Sequence, residues 1–169
     1  MIAPNADIRR LLPEDATDYR GIRLRALRTT PEAFSSTYEV ESERPVEAFA
    51  DRLATSRVFG AYQSSSIVGM IGLLPESGAK LGHKALIWGF FVDPCERGRG
   101  TGALLMEAAL KEAGSVVEQV MLTVVADNVA AIRLYERFGF RRYGTEPRAL
   151  KTPDGYVDEA LMALIFDRT

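Results

Sequence analysis

Three alternating glycines stand in the segment Arg97-Gly98-Arg99-Gly100-Thr101-Gly102 of this 169-residue chain. An apolar run, Ala85 to Val92, leads into it and is broken by Asp93-Pro94; a stretch with helical periodicity, Ala103 to Ala113, follows. Glycines leave their backbone N–H groups unshielded. A helix start adds unpaired donors and the positive end of the helix dipole. The segment therefore reads as an anion site with a pyrophosphate as its natural guest, and Arg97 and Arg99 add positive charge at the rim.

The glycines alone leave several readings open. A P-loop requires Lys-Ser/Thr after the last glycine, and Ala103-Leu104 stand there instead. Gly98, Gly100 and Ala103 satisfy the letters of a dinucleotide fingerprint, but that fingerprint follows the first strand of its unit, and here about four elements precede it. A glycine-rich turn that only lets strand and helix pack closely is the plainer reading.

A second constellation lies about 30 residues further on. Asn128, Ala131 and Tyr135 are spaced by three and four residues and share one helix face. Arg97-x-x-Gly100-x-Gly102 resembles the Gln/Arg-x-x-Gly-x-Gly/Ala motif of the GNAT acetyltransferase superfamily. The run Asp127-Asn128-Val129-Ala130-Ala131-Ile132-Arg133-Leu134-Tyr135-Glu136-Arg137-Phe138-Gly139-Phe140 resembles that family's Asn-x-x-Ala-x-x-Leu-Tyr-x-x-x-Gly-Phe segment. Two motifs in the right order are far more specific than either alone.

The resemblance implies an N-acetyltransferase in which a substrate amine attacks the thioester of acetyl-CoA directly, without an acyl-enzyme. It assigns the pyrophosphate to the amides of Arg97, Gly98, Arg99, Gly100, Thr101 and Gly102. It pairs the pantetheine arm with Phe91-Val92, and puts the acetyl carbonyl against a backbone N–H near Val92, an oxyanion-type contact. Asn128 would hold pantetheine, Ala131 would keep the face open, and the Tyr135 hydroxyl would protonate the leaving thiolate. A phenol with a reference pKa near 10 is protonated and able to donate at neutral pH. For the base that frees the amine, His83 and Glu159 are the candidates. Glu39, Glu41 and Glu43 precede the second helix, where the family builds its acceptor site; at least two of them read as an exposed charge run. Cys95 has no fixed partner in the pattern and is read as incidental. Trp88 and Phe90 read as sheet side chains, one face of which could floor the acceptor pocket.

The elements that must position these residues follow from periodicity and punctuation. A strand is expected at Ala6–Leu12. A helix then starts at Pro13-Glu14-Asp15 and ends at Thr29-Thr30-Pro31, and a second spans Pro45–Ala54. Val58–Gln63 and Ile67–Leu74 flank Ser64-Ser65-Ser66 as a hairpin, and Ala85–Val92 reads as a central strand covered on both faces. The helix after the glycines is expected to stop at Gly114. Gln119–Val125 reads as a buried strand, and Asp127-Asn128 caps a helix running to about Arg137 with Gly139 at its end. Phe140–Gly144 and Tyr156–Phe166 read as the last strands. With the resemblance, this is an α/β chain with the GNAT fold: a mixed central sheet of about seven strands with about four helices, splayed between the fourth and fifth strands. One domain is expected over residues 1–169, with no internal repeat or linker.

Composition narrows the partners. Apolar residues make up 47% and the formal net charge is −2, so nothing points to nucleic acid. One cysteine and one histidine argue against a disulfide framework and a metal site. No apolar run reaches the roughly 18 residues of a membrane span, and the first seven residues lack a leader pattern, so a cytoplasmic enzyme is expected. The acceptor is expected to be an amine of a small molecule or peptide. Residues 144–151 and 156–159 resemble a subgroup of bacterial members, and because many of the family pair through their late strands, the resemblance also suggests a homodimer. An acyl-CoA sensor without turnover and a nicotinamide-nucleotide enzyme are the competing function classes.

Overall fold

A computed structural model describes residues 6–167. The start of the chain, Met1 to Asn5, whose lack of a leader pattern was noted above, lies outside the described residues. Seven strands form one sheet in the order β1-β2-β3-β4-β5-β7-β6: β1 (Asp7–Leu11), β2 (Arg57–Gln63), β3 (Ser66–Pro75), β4 (Lys84–Val92), β5 (Gln119–Val125), β6 (Arg141–Thr152) and β7 (Gly155–Ile165). All neighbouring pairs are antiparallel except β4 and β5, which run parallel. The helices are α1 (Ala16–Thr29), α2 (Tyr38–Ser42), α3 (Val46–Thr55), α4 (Thr101–Val116) and α5 (Val129–Arg137).

The sheet separates two cores. On one face Leu105, Met106, Ala109 and Ala113 form the buried stripe of α4 and pack on Ile71, Leu73, Ala85, Ile87, Val120 and Leu122. On the other, Tyr19, Ile22 and Ala26 of α1 and Phe49 and Leu53 of α3 pack on Val58, Met70 and Phe91. Burying each such large side chain contributes roughly 1.5–3 kcal/mol, which explains why the apolar periodicity predicts these elements well.

Three expectations need correction. Gly114 does not stop α4, which continues to Val116 and ends where the Val117 N–H bonds the Ala113 carbonyl. A Cβ on Gly114 would meet Phe166 at ordinary van der Waals distance, and the residue takes no positive φ, so it behaves as a small helical residue. The expected strand Phe140–Gly144 is the first part of β6, which runs on to Thr152 through two register shifts. Arg148 there takes a φ of 52°, and its N–H is held by the Asp158 carboxylate at 2.7 Å. The stretch between the first two expected helices contains α2, a single short turn capped by the Thr37 hydroxyl, so there are five α-helices among the described residues.

Candidate active site

The parallel pair β4–β5 is bonded over only three positions, Lys84↔Gln119, Ala85↔Val120 and Leu86↔Met121. Beyond Leu86 the strands part, and the gap opens a cleft of about 990 Å³. Its walls are Ile87–Val92 from β4, Leu122–Val125 from β5, the glycine loop, α5, and the Thr30–Phe34 segment after α1.

A bulge re-aims β4 at this point. Two steps on β3, from Met70 to Gly72, face three on β4, from Phe91 back to Trp88. Gly89 takes a φ of +61° within that step, a conformation L side chains rarely adopt. An extra residue twists a strand and ends its ladder locally. Trp88 consequently faces the α1–α3 side, where it and Phe34 both pack against that core, while Phe90 and Val92 face the α4–α5 side. The Asp93 N–H bonds the Val68 carbonyl of β3, so its neighbour Val92 directs its own N–H the other way, across the gap. The Val92 carbonyl accepts from Arg97 Nε at 3.0 Å. Arg25 of α1 pins the strand end by pairing with Asp93.

After a short turn at Pro94–Glu96, Gly98 and Gly100 take φ of +76° and +87°. The first helical bond of α4 runs from the Leu104 N–H to the Gly100 carbonyl. The amides of Thr101, Gly102 and Ala103 precede it and have no helical acceptor, and no side chain caps this end. A Cβ on Gly102 would sit 3.4 Å from Phe90 and 3.6 Å from Leu134, so glycine keeps the mouth of the cleft open.

Opposite, α5 begins at Asn128, whose side-chain oxygen accepts from the Ala131 N–H at 3.2 Å. Tyr135 lies one turn further on, buried between Phe90 and Phe140 at ring separations of 6.1 and 6.0 Å. Burial alone pushes its phenol well above the ordinary value. Gly139 takes a φ of +90° and closes the helix, as its sequence position predicts.

Phe91, Val92, Arg97, Gly98, Gly100, Gly102, Asn128, Ala131 and Tyr135 thus line one cleft. Arg99 points to solvent beside Glu96, and Thr101 is buried beneath the loop, so neither side chain lines it. Cys95 is exposed in the preceding turn. Glu159 of β7 lies opposite Val125 and interacts with Thr123, a cleft residue. Burial raises its carboxyl; the Thr123 hydrogen bond opposes this, and Glu146, directly across on β6, adds to it. His83 is not brought to the cleft. It sits exposed at the far end of β4, and its carbonyl accepts from the amides of Glu118 and Gln119. Phe91 lies eight residues further along the strand, about 23 Å away once the bulge removes one step of rise.

Four residues near the cleft escape the motif reading: Gly89, Phe34, Thr123 and Arg23. A lone glycine inside an apolar strand is a bulge signal. Arg23 falls at helical spacing with Tyr19, Ile22 and Ala26, so a charge sits on an apolar stripe. It is buried and forks onto Glu41, with Nε 3.1 Å and Nη2 2.8 Å from the carboxylate, while Arg52 Nη1 reaches the same group at 3.2 Å. Burial pushes the Glu41 carboxyl up, but the two arginines outweigh it and bring it down to about 2. Glu39 and Glu43 are exposed.

A model of the Acetyltransferase (GNAT) family matches residues 24–140, well over half of the chain. The chain belongs to this GNAT acetyltransferase family. Among its relatives, protein ML0378 of Mycobacterium leprae is 35% identical over 120 residues, 68% of this chain; the match spans only 32% of that longer relative. The L-amino acid N-acetyltransferase AaaT of Escherichia coli is 26% identical over 156 residues, 89% of this chain and 94% of AaaT. The structure of yncA from Salmonella typhimurium with its cofactor acetyl-CoA superposes with a TM-score of 0.82 at 20% identity, covering 98% of this chain and 96% of that one. The GNAT fold is thereby shown, and the parting of the fourth and fifth strands is seen in the short β4–β5 ladder. No helix among the described residues is long and apolar enough to cross a membrane. No group of three or more potential metal ligands is gathered among them either.

Proposed function

We propose that this protein transfers the acetyl group of acetyl-CoA directly to an amine of a small molecule or peptide. The observation that carries this reading is the cleft between β4 and β5, lined by the glycine loop at one end and by Val92 and Tyr135 further in. The free amides at the start of α4 suit the pyrophosphate. The gap left by the parted strands suits an extended pantetheine arm, which would bond the exposed edge of β4. The Val92 N–H, directed across the gap, suits the oxygen that gains charge as the amine attacks the thioester carbon.

Carbon–sulfur cleavage releases CoA as a thiolate. Tyr135 is the proton donor in this reading, because it lines the cleft and its phenol is protonated at neutral pH. Glu159 accepts the proton of the ammonium, directly or through water; a carboxyl raised by burial is better matched to that task than an exposed one. His83 lies too far away to serve and is set aside as the base.

The test is CoA release from acetyl-CoA over a broad amine panel, with wild type and Tyr135→Phe side by side. Turnover that collapses in the variant supports the reading. Tight CoA binding with no turnover of any amine would instead leave an acyl-CoA sensor.

A further inference from the structure

The cationic cluster beneath the bulge is incomplete. Arg23, Arg52 and Glu41 carry two positive charges and one negative charge, with Arg23 and Glu41 buried. Glu41 occupies Nε and Nη2 of Arg23, leaving Nη1 without a hydrogen-bond partner among the described residues. Nη1 lies 3.5 Å from where a Cβ on Gly89 would stand, so it looks onto the bulge that walls the cleft. Trp88 is on the same side, and its buried indole Nε1–H also has no partner. The buried indole N–H is costly without a partner, and the cluster's one surplus positive charge favours an anion at Nη1, which is not buried as the indole N–H is.

Resting on the acetyltransferase reading above, we infer that the acceptor is an α-amino acid, or a molecule ending in one, whose carboxylate binds Arg23 Nη1 beside Trp88 while its amine reaches toward Val92. A monovalent carboxylate matches the single surplus charge. The spacing also fits. Trp88 and Val92 lie opposite Gly72 and Gly69, three steps of β3 apart and about 10 Å, and Gly89 falls within that span. A hydrogen bond of about 2.8 Å, two covalent bonds between carboxylate and amine, and an attack distance of about 3 Å together span a similar length. Phe34, with Arg23 stacked 5.0 Å over its ring, and Trp88 give the side chain an apolar surround. A polyamine offers Arg23 Nη1 no acceptor.

The experiment compares each common L-amino acid with its carboxamide, and both with spermidine, as acceptors for the wild-type protein. The expected result is at least one amino acid whose kcat/KM exceeds that of its carboxamide by about 30-fold or more, mostly through KM, as one hydrogen-bonded charge contact implies. Equal or better use of carboxamides or spermidine overturns the inference. Calorimetric binding of N-acetyl amino acids and N-acetyl carboxamides to the CoA complex separates the two proposals. Carboxylate-selective binding without turnover sustains the carboxylate site and sinks the transferase reading, whereas binding of neither sinks the carboxylate site. The paired variant Arg23→Gln/Glu41→Gln leaves no lone buried carboxylate. It should bind acetyl-CoA as wild type does and lose the discrimination; a variant that keeps it would refute the assignment. Should that variant not fold, the substrate comparison on the wild type still decides.

Discussion

In the proposed reaction Tyr135 and Glu159 carry opposite halves of the proton balance. The phenol is flanked by Phe90 and Phe140, with no charged group contributing to its shift, so it stays protonated well past pH 10. Tyr135→Phe is expected to lower kcat by about 10²- to 10³-fold while leaving acetyl-CoA affinity within about twofold, measured by CoA release and by calorimetry. A purely structural tyrosine would leave kcat unchanged. Glu159 must be ionised to take a proton. Because its carboxyl is raised, kcat/KM should begin to fall at a higher pH than an ordinary carboxyl near 4.5 would dictate. Glu159→Gln should remove that acid limb and lower the plateau; a variant with an unchanged profile would exclude Glu159 as the base. Both residues are visible in the sequence, one through its motif and one only as an acid in a late strand. Their environments come from partners distant in sequence, Phe90 for Tyr135 and Glu146 for Glu159, which no local pattern reveals.

At the level of elements, the bulge in β4 and the cap of α5 do most of the positioning. Gly89 is the only residue type that takes its φ of +61° without strain, so Gly89→Ala should cost about 1–2 kcal/mol. Its Cβ would also stand 3.5 Å from Arg23 Nη1. A lowered denaturation midpoint together with a raised KM for the acceptor is the expected outcome. Asn128→Ala removes the side-chain acceptor for the Ala131 N–H and should cost about 1 kcal/mol, read as a fall in Tm. The cap of α5 is legible because its signals are local, an Asx residue before a helical stripe and a glycine just after it; the bulge at Gly89, a lone glycine in an apolar run, escapes the motif reading. The tail of β6 is not legible, because Gly144 and Pro147 argue against a strand. Its pairing with β7 survives through register shifts and the Asp158 bond to the Arg148 amide.

Across the whole molecule, the Arg23–Glu41–Arg52 cluster ties α1, α2 and α3 together. The Glu41 carboxyl is held near 2, against an ordinary value near 4.5. A carboxyl lowered in the folded state contributes stability that is complete above its unfolded pKa and is lost as pH falls through the folded one. Stability should therefore decline between about pH 4.5 and about pH 2. Glu41→Gln should flatten that decline and lower Tm at neutral pH, since two arginines lose their shared anion; thermal melts over this range check both. The sequence leaves this cluster unread because a charge on a helical stripe normally marks the solvent edge, and only the folded arrangement brings its counter-ions together.

The parting of β4 from β5 has a mechanical consequence. Only three residue pairs at one end join the half-sheet β1–β4 to the half-sheet β5–β7–β6, so along the sheet itself the two halves meet like pages at a spine. A molecule bonded to both free edges is a strut as well as a reactant. Acetyl-CoA at a hundred times its dissociation constant should add about 2.7 kcal/mol to stability. The gain should appear as slowed amide exchange at Phe90–Val92 and Thr123–Val125, the two edges that face each other across the opening.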